Sequence, residues 1–374
     1  MNLKKRITYL DMAKGAGIVL MVAGHLIGSV QTIDYKPYFS PTYHVIASFH
    51  MPLFFIISGI LLRITQEERK EMGHIIYRKA KGLLLPYATF SLIYMVINIC
   101  TCIFQPELLE FPDLWKFFIY SVTLRGVSVL WFLPTLFFGE ILFLWVRKRT
   151  SERKTAASFA VTGLLIFYFS PILSWEGWEH NLGLMTVGSL LHMAVRSVLS
   201  CTFLLIGYES ARFFQRRQER SVFGFAAGAA LLILNGFLCF LNGDVDLNFM
   251  VFDNFLLYTL CACIGSFGVI LICKHMYCSR LLLFFGTNSL VIMATHMEFK
   301  VMMDSIRFSY WLNQYVTRAK EWVLFLTMAV FITVVEAGIV FLYNHYLYFL
   351  IGKEKPERTR QTHGRTKSEQ VSRF

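Results

Sequence analysis

Runs of about 20 apolar residues recur along the whole chain, and each is long enough to cross a bilayer core as a helix. They fall near residues 13–33, 45–63, 82–104, 128–146, 156–174, 190–211, 222–241, 251–273, 281–303 and 322–350. Hydrocarbon offers backbone N–H and C=O groups no water, so such a run pairs them internally as a helix. The 374-residue chain is 56% hydrophobic and only 16% charged, where a soluble domain carries about a quarter charged residues. The sequence therefore predicts an all-α, polytopic membrane protein of about ten transmembrane helices. That leaves no room for a separate soluble catalytic domain. Residues 1–352 are expected to form the membrane domain, and residues 353–374, polar and rich in Arg, Thr and Ser, a disordered basic tail on anionic headgroups.

The segments between the runs alternate in charge. The start, 64–81, 147–155, 212–221, 274–280 and the tail are basic, while the others are poorer in Lys and Arg. The positive-inside rule puts the basic set, and both termini, in the cytoplasm, and an even number of spans agrees. The net charge of +12 is read as membrane topology, not as nucleic-acid binding. Lys4-Lys5-Arg6 followed by an apolar run resembles a signal peptide, but Lys14 interrupts the run, which points to a retained first helix. Trp115, Trp131, Trp175, Trp178 and Trp322 suit interfacial belts, and residues 113–123 suit a helix lying along the outer interface. Cys100/Cys102 and Cys261/Cys263 sit in apolar runs without zinc or disulfide spacing and are expected as free thiols, and no metal site is expected. No repeat with matched broken helices is evident.

The first run carries Asp11, Lys14 and His25. Ionisable groups in hydrocarbon are costly and mark sites. Lys14 and His25 are eleven residues apart, about three turns, so they project from one helix face with a rise of about 16 Å between them. Asp11, three residues before Lys14, shares that face and is placed to pair with it. His50 and His296 also stand inside apolar runs, and an imidazole there is available as a general base or as a polar packing contact. His50 precedes Met51-Pro52, where the proline frees a carbonyl. Arg78, Lys79 and Lys81 enter the third helix before Pro86-Tyr87. They are either ordinary cytoplasmic anchors or, with Lys14, a site for a phosphorylated ligand such as coenzyme A. Trp131 and Glu140 mark the fourth helix, and Arg125 and Arg196 stand where a negatively charged acceptor would arrive. No G-x-S-x-G, P-loop or H-E-x-x-H pattern supports hydrolase, NTPase or zincin chemistry.

An ordered set of these stretches resembles the acyltransferase-3 family of integral membrane acyltransferases, in particular its short branch similar to fucose 4-O-acetylase. The set comprises Tyr9-Leu10-Asp11 to Lys14-Gly15, the ten-residue gap to His25, and Phe49-His50-Met51-Pro52-Leu53-Phe54-Phe55 leading to Ser58-Gly59. The basic run up to Pro86-Tyr87, Leu130-Trp131-Phe132-Leu133, and Gly286-Thr287-Asn288-Ser289-Leu290 with His296 complete it. Lys14 stands where the family often has Arg, keeping charge but losing bidentate geometry. The helix-3 cluster mixes Lys with Arg, and no extracytoplasmic hydrolase-like domain is appended.

The resemblance implies O-acyl transfer at the cell membrane, usually of acetyl from acetyl-CoA, onto a hydroxyl of a cell-surface or exported glycan. Acyl-CoA enters as donor substrate, without a bound cofactor. It implies His25 as base or transient acyl carrier, with Asp11 orienting Lys14. Lys14, Arg78, Lys79 and Lys81 are then expected on the coenzyme A phosphates, and His50, Trp131, Glu140 and His296 on substrate. Two other classes fit the composition: a transporter of a sugar or anion, and a translocator of acyl groups serving a separate transferase.

Overall fold

A computed structural model describes residues 7–34, 40–105, 109, 111–173, 181–214, 220–243, 245–297, 299–315 and 321–354. Lys4-Lys5-Arg6, Trp175, Trp178 and most of the tail lie outside the described residues. The chain runs α1 (Thr8–Asp34), α2 (Ser40–Ala47), α3 (His50–Ile64), α4 (Met72–Lys79), α5 (Leu85–Phe104), α6 (Phe111–Val122), α7 (Phe132–Arg149) and α8 (Glu152–Leu173). It continues with α9 (Leu182–Phe214), α10 (Val222–Leu238) and an antiparallel hairpin of β1 (Val245–Asp246) and β2 (Val251–Phe252). It closes with α11 (Phe255–His275), α12 (Arg280–Thr287), α13 (Ser289–Thr295), α14 (Val301–Tyr315) and α15 (Glu321–His345). The protein is all-α apart from this short hairpin, and eight helices among the described residues are long and apolar enough to cross a membrane.

Several runs that read as single helices are broken. The second divides at Ser48–Phe49, four residues before Pro52, whose missing N–H leaves the Ser48 carbonyl unclaimed by the helix. The third begins earlier than its apolar content suggested. Arg78 and Lys79 lie in the last turn of α4, and a π turn over Ala80–Leu84 carries the chain into α5. The 281–303 run includes two short helices, α12 and α13, followed by turn residues at 296–297 and 299 before α14. The 113–123 segment is helical as far as Val122, in α6, with Trp115, Phe118 and Val122 exposed and Ile119 buried. All eight cysteines are free, with Cys261 buried and Cys100 exposed.

Helix α1 is the hub, touching α2, α3, α11, α12, α13 and α14. Its seam with α12 is made by glycines. A Cβ at Gly15 would stand 2.0 Å from the Leu282 carbonyl oxygen, and one at Gly286 would stand 1.7 Å from that of Asp11. Only glycine permits this backbone-to-backbone approach, the usual device where helices associate in lipid. The turn bearing Asp11 and Lys14 is thereby fixed against α12.

The two ends of the bundle differ. One end is rich in ion pairs: Arg63 with Glu209 and Glu152, Arg147 and Arg212 with Glu152, and Arg78 and Lys70 with Glu67. At the other, the β1–β2 hairpin caps the bundle. There Arg196, which the sequence offered for an acceptor, is instead buried. It donates to Asn248 Oδ1 (2.5 Å) and to the Arg125 carbonyl (2.6 Å), and its guanidinium lies over Trp131, 5.2 Å from the ring centroid. Trp131 is itself buried, not interfacial, because it is packed between this arginine and the bundle core.

Candidate functional site

Two cavities lie along α1, one above the other. The first, about 280 Å³, opens toward the hairpin end and is lined by His25, His50, Tyr43, Trp131, Asp246 and Asn248 among others. The second, about 220 Å³, lies toward the basic end, with Lys14, Ser58, Phe54, Phe132 and Ser289 in its wall. Met21, Met51 and Met293 line both. Three flexible thioether side chains therefore form the partition between the two spaces. Lys14 pairs with Asp11 at 3.2 Å, as the i, i+3 spacing predicts. One face of α1 thus carries a paired cation to the lower cavity and an imidazole to the upper one.

The three histidines have different settings. His50 Nδ1 lies 2.9 Å from the Ile46 carbonyl oxygen, and His296 Nδ1 lies 2.9 Å from those of both Ile292 and Met293. A carbonyl only accepts, so in both rings Nδ1 carries the proton and Nε2 presents its lone pair. The His25 ring has no hydrogen bond to any described residue. Its ring sits 5.3 Å from that of His296, centroid to centroid, tilted by 43°. His296 is fully buried behind His25 and lines neither cavity.

The cationic residues expected on one ligand are divided among carboxylates. Arg78 pairs with Glu67, which Lys70 also meets at 2.6 Å. Burial would raise the Glu67 carboxyl, but hydrogen bonds from Lys70 and Thr65 and the charge of Arg78 outweigh it and hold it at about 2. Lys79 meets Glu140 at 2.7 Å, and Glu140, 1% exposed, also accepts from the Ser58 hydroxyl. Glu140 thus lies beneath the basic mouth and touches the lower cavity through Ser58. Among the described residues no carboxylate pairs with Lys81, which is half-buried on the π turn.

Residues 7–349 match the acyltransferase-domain family Acyl_transf_3, which covers nearly the whole chain. The protein belongs to the acyltransferase-3 family. It is a membrane acyltransferase. Comparison with curated proteins and with solved structures finds no match.

For this acyltransferase, the site brings together His25, His50 and Trp131 in one cavity and Lys14 in the other, with Lys79 and Glu140 reaching the latter through Ser58. Arg78 is drawn aside to the 64–71 loop, and His296 stands behind the wall. Sequence reading placed Ser58 in the family-like stretch but gave it no role, and it gave none to the partition methionines, which look like any core residue. It also missed the hairpin's part in the upper wall. Asp246 accepts from the backbone N–H of Asn248 (2.7 Å) and Phe249 (3.1 Å), which folds the loop over the cavity. Burial pushes the Asp246 carboxyl up, against those hydrogen bonds and Arg196. No group of three His, Cys, Asp or Glu among the described residues is arranged to hold a metal ion. The chemistry within reach is proton transfer by imidazole and charge stabilisation by lysine and hydroxyl groups.

Proposed function

We propose that the protein transfers an acyl group, acetyl foremost, from acyl-CoA entering at the basic end to a hydroxyl of a glycan entering at the hairpin end. The basic end is the cytoplasmic side in this reading, and the protein works at the cell membrane. The observation that carries the proposal is the pair of cavities meeting at Met21, Met51 and Met293, with Lys14 in one and His25 in the other. Lys14 and Lys81 are the first contacts for the donor's phosphates. Lys79 joins them by exchanging part of its pairing with Glu140. Asp11 holds Lys14 toward the cavity.

The acceptor rests on Trp131, with His50, Asp246 and Asn248 supplying polar contacts, a mix of aromatic face and hydrogen-bonding groups that suits a sugar. His25 takes the proton of the attacking hydroxyl as its oxygen bonds to the thioester carbonyl carbon. The tetrahedral adduct then expels the coenzyme A thiolate, which recovers the proton from His25, leaving an ester and free thiol. No electrons are exchanged and no metal ion is required.

Two cavities divided by a partition would also suit a transporter that exposes its site to each side in turn. Incubating the purified protein in lipid nanodiscs with labelled acetyl-CoA separates the readings. Acyl transfer releases free coenzyme A in step with acetylated glycan, whereas a transporter releases none.

A further inference from the structure

His296 has no place on the surface of either cavity, yet it is held with unusual care. Its Nδ1 donates to two carbonyls one residue apart, Ile292 and Met293, at 2.9 Å each. The backbone around it is closed as well. The His296 N–H bonds the Ile292 carbonyl (3.2 Å), its own carbonyl accepts from Met302 (3.0 Å), and that of Thr295 accepts from Phe299 (3.2 Å). Next to it, the Thr295 hydroxyl donates to the buried Glu336 of α15 (2.8 Å), and the Tyr94 hydroxyl donates to the Ala294 carbonyl. A bundle of bonds from α5 and α15 thus fixes the end of α13. Two buried atoms in this cluster have no hydrogen-bond partner among the described residues, Glu336 Oε1 and, facing the helix α1 side, His296 Nε2.

A buried, unanswered acceptor is costly and calls for an explanation. The ring's neighbour is His25, the one cavity histidine whose ring nitrogens are both unclaimed by described residues. An N–H···N bond of about 2.9 Å between two imidazole edges requires centroids about 5 Å apart. At 5.3 Å between centroids, the His25 and His296 rings are close enough for such a bond. Hydrogen bonds of this kind are often long until substrate is bound.

We propose that His296 is a positioning residue whose Nε2 accepts the ring N–H of His25, fixing that ring's tautomer so that its other nitrogen faces the cavity as the lone-pair base. His296 then does for His25 what a carboxylate does for the histidine of a hydrolase triad, without bringing a charge into the membrane interior. The backbone carbonyls that pin Nδ1–H are what make Nε2 an acceptor. Its use rests on the acyl-transfer reading, while the proposed pairing can be tested without it.

The test uses the whole protein and two variants. His296→Asn keeps a donor for the Ile292 and Met293 carbonyls and removes the acceptor. His296→Gln supplies an amide oxygen near the former Nε2. Diethyl pyrocarbonate modifies a histidine through its free lone pair, and peptide mass spectrometry reads modification of His25 relative to His50, which lines the same cavity and serves as internal reference. His296→Asn is expected to lower the His25-to-His50 ratio about tenfold, the scale for losing a partner that orients an imidazole, and His296→Gln to restore most of it. The kcat for acetyl transfer should follow the ratio, with KM for acetyl-CoA unchanged. An unaltered ratio in His296→Asn, or equal losses in both variants, overturns the proposal. A wild-type protein that transfers no acyl group would sink the catalytic reading instead, and the modification ratio would still report on the pairing.

Discussion

The two ends of α1 serve opposite electrostatic ends. Around Lys14 almost every cation already has an anion: Asp11 for Lys14, Glu140 for Lys79, Glu67 for Arg78 and Lys70. Around His25 two imidazoles, its own and that of His50, present unclaimed nitrogens in a largely apolar wall, with His296 buried behind it. Internal carboxylates satisfy the charged end, so an anionic ligand there competes with them and gains affinity only by offering better geometry. At the histidine end the His25 ring has no hydrogen-bond partner among the described residues, which suits the base role proposed for it. In the proposed reading, binding and chemistry are held on one helix but under different rules, with a methionine partition between them.

Among changes that leave the base in place, the largest effect is expected at Glu140. Glu140→Ala strips Lys79 and Ser58 of their buried partner and should cost about 3 kcal/mol, read as a lower melting temperature in detergent. Replacing both members, Lys79→Leu with Glu140→Met, should recover most of that stability, because an apolar pair of similar volume often equals a buried ion pair. If Lys79 serves the donor, the recovered protein will show a raised KM for acetyl-CoA, and an unchanged KM would confine Lys79 to structure.

A smaller effect is expected at the partition. Met293→Ala widens it, and the variant should gain on propionyl- and butyryl-CoA relative to acetyl-CoA by about fourfold per methylene, the transfer free energy of one CH₂. Identical acyl-chain preference in variant and wild type would show that the methionines do not gauge the acyl group.

The smallest effect concerns the 64–71 loop. Glu67 is held at about 2, below its ordinary 4.5. A carboxyl lowered on folding stabilises the protein above its unfolded value, and the contribution is lost as pH falls from about 4.5 toward 2. The melting temperature of the wild type should therefore drop over that window more steeply than that of Glu67→Gln. Parallel curves would show that the loop's ion pairs contribute nothing.

Much of this was legible in the sequence. Apolar runs declared the membrane helices because hydrocarbon leaves backbone no alternative. The face shared by Asp11, Lys14 and His25 followed from helical periodicity within one element, so the ion pair and the cavity histidine were readable before any tertiary contact was known. What periodicity could not supply was the pairing between elements. Nothing local links Glu140 to Lys79, sixty-one positions away, or turns Arg196 inward to Asn248. His296 shows the limit most clearly. Its apolar surroundings marked it as functional, but which side of the wall it occupies depends on how the broken α12–α13 segment meets α1.

His25, at the junction of the two cavities, is the proposed base. Release of free coenzyme A from labelled acetyl-CoA, together with acetylated glycan by mass spectrometry, measures that role directly in His25→Ala against wild type, both purified and matched for folding. Loss of at least a hundredfold in the variant, at the low end of what a general base contributes, is the predicted result. Acetylation at the wild-type rate in His25→Ala would contradict the account.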